Sequence, residues 1–528
     1  MKAPVTANAR TTQPISRACR ALGSHALTPL LIAALTLLSR LPVIGKSGLW
    51  YDEVYTANLT MFNRTLSGII DYITRNDAHP PLHYFVTWAW THALNLHAYP
   101  TLPEHAEALL RLPSALFGAV SAGLLYASAR RLGTPLIATL AAAAYAVSPA
   151  AFHQDIEARM YAQLGCLTLA CVYAAVRYHE TPLKRWALLL GLSAGAAGMT
   201  QYLGLVLATG PFLYAASGGQ WKRLTAAAAL TTMICAPWLP ELAFQYTTGK
   251  AYPDARLPFK TLVWPVVALV TGAPGPMTIP WVLWPDLKGK VPLVFPLLIL
   301  PFNLWLVSRA LHKQTSGRTT VPTTRPSVQA KAAQAGLILA LPPLLLWVLG
   351  SLFVNTLDPR YVAPFMPGLL IAWAGGVSAV CELKLSVSPR LLTALPILAA
   401  LPLAGSLVYN TAHTLAQPTS VLREAVKLID AQAKPGSLVA FNTRGGGFVM
   451  SFYRLKTPSL PVARSSLGPL QRAPFVYVVR EFAHDDRATV DDATGTLFDL
   501  AMNRHRQTLI ASDSRTLTRV FLFTKEQK

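Results

Sequence analysis

Charge is scarce in this chain. Only 13% of its 528 residues are Asp, Glu, Lys or Arg, while 52% are hydrophobic. Soluble domains carry about 25% charged residues, so the deficit excludes an ordinary soluble fold and points to a bilayer as solvent. Acids are scarcer than bases, 24 against 46, which gives a net charge of +22. That balance would suit nucleic acid only if a basic domain carried it. None does. The bases fall in short clusters between apolar runs, such as Arg130–Arg131, Lys184–Arg185 and Lys222–Arg223. Cytoplasmic loops look like this under the positive-inside rule, so nucleic acid is excluded as a partner. The five cysteines, Cys19, Cys166, Cys171, Cys235 and Cys381, lie in or near apolar runs or on the cytoplasmic side. They imply neither a disulfide framework nor a Cys-based metal site. A small-residue cleavage site is also missing near the end of the first run, so that run reads as an uncleaved first span.

What the sequence has in quantity is long apolar runs. Examples are "LIATLAAAAYAVSPAAF" at 136–152 and "LILALPPLLLWVLGSLFV" at 337–354. Several approach the ~20 residues that cross a bilayer core as helix. With basic clusters as cytoplasmic markers, spans fall near 26–45, 108–129, 134–152, 160–177, 186–201, 203–217, 224–240, 291–309, 336–355, 361–381 and 391–410. The expected fold is therefore a polytopic α-helical membrane protein of about eleven helices. Residues 1–25 form a cytoplasmic tail and 26–410 the transmembrane domain, and an odd span count puts the C-terminal end outside. The outer face then gathers the loop 46–107, the turn 153–161, the loop 241–290 and the "DPRY" turn at 358–361. Within 241–290, "TLVWPVVALVTG" is too short to span and reads as interfacial or re-entrant. The polar segment 311–331 reads as a disordered cytoplasmic loop.

From about residue 411 the pattern changes. "SVLREAVKLIDAQA" at 420–433 has helical spacing, while "SLVAFN", "FVYVV" and "RVFLFT" read as short strands. Residues 411–528 are thus expected to form a small extracytoplasmic α/β domain. Its "RGGG" at 444–447 lacks the Lys-Ser/Thr and spacing of a phosphate loop and reads as a turn.

Four stretches hold residues suited to chemistry. "LWYDEVYT" at 49–56 sets Asp52 and Glu53 among aromatics at the headgroup level. The pair is either solvated loop charge or, at a partly dry interface, a tuned base. "AHPPLHY" at 78–84 places His79 before two prolines that begin a surface helix, as a polar cap or beside an anion site. "DIEARMYA" at 155–162 puts Arg159 at the lip of a span beside Asp155 and Glu157, which favours an ion pair or an anion site over snorkelling. "DPRYVAPFMP" at 358–367 adds Arg360 on the same lip. Two arginines, a histidine and two acids on one face suit a phosphate beside a base.

"YDEVYT", "HPPLHYF", "RLPSALFG" (111–118), "EARMYA" and "RYVAPFMP", in this order, resemble the bacterial branch of the C-type (GT-C) membrane glycosyltransferases. That branch groups with the protein O-mannosyltransferases and the lipid A aminoarabinose transferase and is glycosyltransferase family 39-like. The resemblance spans roughly residues 26–410. It implies an inverting glycosyltransferase in the inner membrane. The sugar would move from a polyprenyl-phosphate donor to a glycan, lipid or protein acceptor on the outer face. It implies Asp52 as general base, Glu53 in support, and His79, Arg159 and Arg360 on the donor phosphate. Tyr55, Glu157, Tyr161 and Tyr361 would line the pocket. Relatives often carry a basic residue where this chain has Tyr55 or His79. Some use a divalent metal, which Asp52 and Glu53 could bind. The competing class is a transporter or flippase of lipid-linked sugars, which predicts mid-bilayer charges and repeat symmetry.

Overall fold

The structure, a computed structural model, describes residues 27–61, 65–96, 105–248, 294–312, 326–351, 361, 363–380, 389–415, 422–441, 449, 452–461, 467–480, 505–513 and 518–525. It opens with α1 (Thr28–Arg40), followed by three helices of the first loop: α2 (Tyr51–Met61), α3 (Leu66–Asn76) and α4 (Leu82–Ala93). The bundle continues through α5 (Ala106–Leu132), α6 (Pro135–Ala146), α7 (Pro149–Asp155), α8 (Tyr161–Glu180), α9 (Lys184–Thr200), α10 (Leu203–Ala216), α11 (Leu224–Cys235) and α12 (Leu239–Thr247). Then come α13 (Val294–His312), α14 (Val328–Gly350), α15 (Met366–Val380) and α16 (Pro389–Leu415).

The helices are inside out relative to a soluble protein. On α1, Leu30, Leu31, Leu35 and Leu38 are exposed while Thr36 and Arg40 are buried. Leucines left outside and polar groups turned in suit a hydrocarbon surround, where interior polar groups need partners and the outside does not. Helices approach closely through small residues. A Cβ on Gly336 of α14 would lie 2.4 Å from the Gly368 carbonyl oxygen of α15, so the two backbones cross at that pair.

Every expected span overlaps helix, but 134–152 divides between α6 and α7, 224–240 runs from α11 through a single 3-10 turn into α12, and not every helix crosses a bilayer by itself. Among the described residues four are long and apolar enough, or five if α6 and α7, bent by 60°, count as one. The bend has a local cause: Val147 closes α6, and Ser148 caps the next helix, its side chain accepting from the Ala151 N–H, with Pro149 following. The turn expected over 153–161 is accordingly helical as far as Asp155. The segment expected to be disordered over 311–331 is also helical from Val328, because Ser327 caps α14 by accepting from the Ala330 N–H at 3.1 Å. The interfacial stretch at 261–272, the glycines of 444–447, Cys19 and Cys381 lie outside the described residues.

The tail holds α17 (Leu422–Gln432), α18 (Leu467–Arg472) and five strands. These are β1 (Ser437–Phe441), β2 (Ser459–Pro461), β3 (Phe475–Arg480), β4 (His505–Asp513) and β5 (Thr518–Lys525), in the order β2-β1-β3-β5-β4. β1 is parallel to β2 and β3, and β5 is antiparallel to β3 and β4. The sheet and α17 share one hydrophobic core with the first loop. Leu422, Val426, Ile429, Val439, Tyr477 and Val520 pack with Leu49, Val54, Ala57, Met61 and Leu110. Polar contacts rim this seam. Arg423 Nη1 donates to Glu107 Oε1 at 3.1 Å, and the Leu49 N–H donates to the Tyr453 hydroxyl at 2.5 Å.

A shared core should unfold as a unit. Ile429 is fully buried, and Ile429→Ala is expected to cost about 2–5 kcal/mol. Thermal unfolding in detergent should show one cooperative transition, lowered in the variant. A separate early tail transition with the bundle unmoved would contradict it.

Candidate active site

The site is built on the N-terminal turn of α2. Glu53 occupies the third position of that helix and reaches back, its Oε2 accepting the Trp50 N–H at 3.2 Å as in a capping box. The same carboxylate is clamped by Arg111 of α5. Nε donates to Oε1 at 2.7 Å and Nη2 to Oε2 at 2.6 Å, and the Ala158 N–H adds a third donor to Oε1 at 2.8 Å. Arg111 spends its remaining N–H groups on the carbonyls of Ile44, Ser47 and Gly48 at 2.8, 2.9 and 3.0 Å. Glu53 and Arg111 are both buried. Their partners are filled, so Glu53 is engaged in holding α2. With both its oxygens committed, Glu53 does not fit a cation shared with Asp52. Among the described residues no group of three or more His, Cys, Asp or Glu could hold a metal ion.

Asp52, one residue earlier, is half-buried. Its carbonyl accepts from Arg159 Nη1 at 3.2 Å, and the same nitrogen donates to Thr56 Oγ1 at 3.2 Å. Arg159 is buried, and its Nε has no hydrogen-bond partner. Burial disfavours its charge, but Tyr84, Asp52, Tyr161 and Asp77 outweigh burial and hold it firmly a cation.

The expected ion pair of Arg159 with Asp155 and Glu157 does not form. Asp155 is taken by Arg40 of α1, whose Nε and Nη2 donate to Oδ2 at 3.0 and 2.9 Å. Glu157 lies 3.2 Å from His153 Nδ1. The cause is the end of α7 at Asp155, which breaks the helical spacing that would have set 155 beside 159. Gly118 keeps room for Asp155, since a Cβ there would fall 2.1 Å from its Cγ.

His79 stands three residues ahead of α4, whose N-cap is Pro81 with no side-chain cap, so of the two roles open to it, capping the helix is not the one it takes. Its Nδ1 lies 2.7 Å from Asp77 Oδ1, and its Nε2 is buried without a partner. Asp77 Oδ2 accepts the Tyr84 hydroxyl, and Oδ1 also accepts the Ala78 N–H at 2.8 Å. Burial pushes the Asp77 carboxyl up, but the charge and hydrogen bond of His79, then Arg159 and the Tyr84 O–H, outweigh it and bring it down to about 2. Tyr55 packs its ring 5.8 Å from Tyr72 and 6.4 Å from Tyr84. Its hydroxyl is buried without a partner, and burial and the nearby Asp77 keep it protonated. Tyr161 meets Tyr361 edge-on at 5.8 Å. Arg360 lies outside the described residues.

One cluster therefore gathers Asp52, Tyr55, His79, Arg159 and Tyr161. Glu53 and Glu157 face partners of their own. Asp77 and Arg111 are site residues that the sequence pattern did not single out. Arg111 stands inside a quoted motif, but its partner is 58 residues away. Asp77 does carry a local signal: an acid two residues before a His-Pro-Pro.

The family model for dolichyl-phosphate-mannose-protein mannosyltransferase matches residues 78–240. The ArnT protein of Cupriavidus metallidurans superposes in its apo state at 15% identity with a TM-score of 0.55, covering 93% of this chain and 97% of that one. In the form bound to undecaprenyl phosphate, the figures are 15%, 0.55, 94% and 98%. The apo oligosaccharyltransferase of Archaeoglobus fulgidus follows at 12% identity and a TM-score of 0.50, covering 95% of this chain and 75% of that one. Comparison with curated protein sequences yields no match. The chain has the fold of the C-type membrane glycosyltransferases.

This geometry makes two outcomes testable. Glu53→Gln leaves the buried Arg111 charge uncompensated and should destabilise by about 3–5 kcal/mol, read as a lowered melting temperature in detergent. His83 of α4 is buried, with Nδ1 3.2 Å from Gln163 Oε1, and burial brings its pKa from the ordinary 6.5 down to about 3. The unfolded chain then takes up a proton near pH 6.5 that the folded one refuses, so stability is full above that pH and falls from there towards pH 3. Unfolding midpoints measured between pH 7 and pH 5 should drop in the wild type and flatten in His83→Gln.

Proposed function

We propose that this chain is an inverting glycosyltransferase that moves a sugar from a polyprenyl-phosphate donor to an acceptor at the outer face of the cytoplasmic membrane. One observation carries the reading: the buried Arg159 guanidinium, with an unpaired Nε, lies against the Asp52 turn of α2. An anion and a base would be served there together.

In this reading the phosphate of the donor sits against Arg159 and His79, with Arg360 as a further cation. Asp52 takes the proton from the acceptor hydroxyl or amine. The freed electron pair attacks the anomeric carbon on the face opposite the phosphate, and the bond from that carbon to the phosphate oxygen breaks. Its electrons leave with the polyprenyl phosphate, and configuration inverts. Preset cations that neutralise the charge developing on the leaving phosphate lower the barrier without reorganising in the step. Glu53 supports Asp52 through the helix end it caps. Tyr55, Glu157, Tyr161 and Tyr361 border the site.

The acids stand at an interface because one substrate is dissolved in the bilayer and the other in water. Residues 1–25 are the cytoplasmic tail, 26–410 the catalytic membrane domain and 411–528 an α/β domain on the outer side. The contacts of Arg423 and Tyr453 with the first loop support a common face for tail and site.

The test uses purified protein with a panel of labelled polyprenyl-phosphate sugars, following sugar release to water or acceptor. Asp52→Asn is expected to lower release by about 10²–10⁴-fold, the usual weight of a general base, with insertion and melting temperature unchanged. Wild-type rates in that variant would remove Asp52 from the mechanism. Donor binding without release from any sugar would move the chain to transport of lipid-linked sugars.

A further inference from the structure

Asp77 has no part in the mechanism proposed for the cluster, yet it is bonded directly to one of its members, His79. It begins the short connection between α3 and α4 and holds three donors: the Ala78 N–H, the Tyr84 hydroxyl and the His79 ring. Both side chains of the Asp77–His79 pair are 12% exposed. Pro80 and Pro81 stiffen the chain immediately after the histidine, and a residue before proline is confined to extended backbone. The prolines thus restrain the backbone at His79, and the contact of its Nδ1 with Asp77 Oδ1 at 2.7 Å orients the ring.

Hydrogen-bond accounting then constrains its charge. An ionised Asp77 only accepts, so His79 Nδ1 carries a proton toward it. A phosphodiester oxygen also only accepts. A ring that bonds both at once must carry protons on both nitrogens and is a cation. The buried Nε2, which has no partner in the protein, is the atom left for that second bond. A buried polar atom without a partner is costly unless a ligand completes it.

We propose that Asp77 is a positioning residue for the donor: it orients His79 and holds it as an imidazolium whose Nε2–H bonds the phosphate of a polyprenyl-phosphate lipid. The inference rests on the proposed reading of this cluster as the donor site. Arg159 is the opposing charge nearby, since it also favours ionised Asp77. Asp77 is thus the acid that lets two cations share one phosphate. Its contribution passes through the histidine and disappears when the cation no longer needs it.

The experiment measures binding of undecaprenyl phosphate to the full chain in detergent by tryptophan quenching. Four proteins are compared: wild type, Asp77→Asn, His79→Lys, and the double variant. Asn keeps an acceptor for the Ala78 N–H but removes the charge, and melting temperatures report whether each protein is folded. Lysine is a cation by its own chemistry. Asp77→Asn is expected to weaken binding about tenfold in the histidine background, the scale of one lost charge-assisted contact. In the His79→Lys background the same change should cost less than about twofold. An equal loss in both backgrounds would make Asp77 a structural residue acting through Ala78 and Tyr84, and would overturn the inference while leaving the donor reading standing. No binding by the folded wild type would overturn both.

Discussion

The arrangement of the site depends on one buried ion pair. Arg111 commits all five of its N–H groups, two to Glu53 and three to the carbonyls of Ile44, Ser47 and Gly48. That single guanidinium joins the turn after α1, the start of α2 and the second turn of α5. Glu53 extends the connection to the Ala158 N–H, next to Arg159. The relative position of Asp52 and Arg159 is thus set by their neighbours in sequence, Glu53 and Ala158, which touch each other. A buried pair of this kind adds little net stability against an apolar replacement, but losing one partner is severe. Its use here is to fix one geometry.

The described arginines around the site separate by how fully their donors are used. Arg40 is bound by Asp155, by the Ala146 carbonyl and by the Ser39 hydroxyl, and lies 4.1 Å above the Phe152 ring. Arg111 is filled. Both hold helices together. Arg159 is also buried, yet its Nε has no partner and its Nη1 donates to neutral oxygens of Asp52 and Thr56. Burying a guanidinium without a carboxylate bonded to it is unfavourable in a folded chain by itself. It becomes economical when an anion from outside completes the site, and a lipid phosphate at an interface has that chemistry.

Much of this was legible in sequence. Apolar length located the helices of the bundle, and the two prolines after His79 located the start of α4, while α2, α3 and α18 were not foreseen, since each is short and 49–56 reads as loop. α17 and strands β1, β3 and β5 carried their own patterns. β4 and β2 did not: both are sheet edges, the first mixes polar with apolar residues, and the second has three residues. Pairings were the least visible. The spacing of Asp155 and Arg159 suggested a helical pair, and a break after Asp155 gave the acid instead to a residue 115 positions earlier. Long-range partners such as Glu53 and Arg111 have no local pattern to betray them. Asp77 was close enough to see, but a connection between helices has no periodicity to single out one acid.

The tail supplies the remaining rigidity. α2 presents Asp52 on one side, and on its other side Val54, Ala57 and Met61 lie in the core made with α17 and the sheet. The helix is therefore held from behind by a domain distant in sequence and at its N-terminus by Arg111. In the reading proposed above, Asp52 must stay within hydrogen-bond reach of the proton it removes, which requires a helix that does not move. A short loop helix held only at its N-terminus has freedom to rock. Packing α2 against a folded α/β layer removes that freedom. The same contacts bring Gly48 within 2.9 Å of Arg423, measured from a Cβ built on the glycine to that of the arginine. The carbonyl of Gly48 is one of those that hold Arg111. The ion pair and the tail therefore restrain the same few residues, and the position of Asp52 is the product of both.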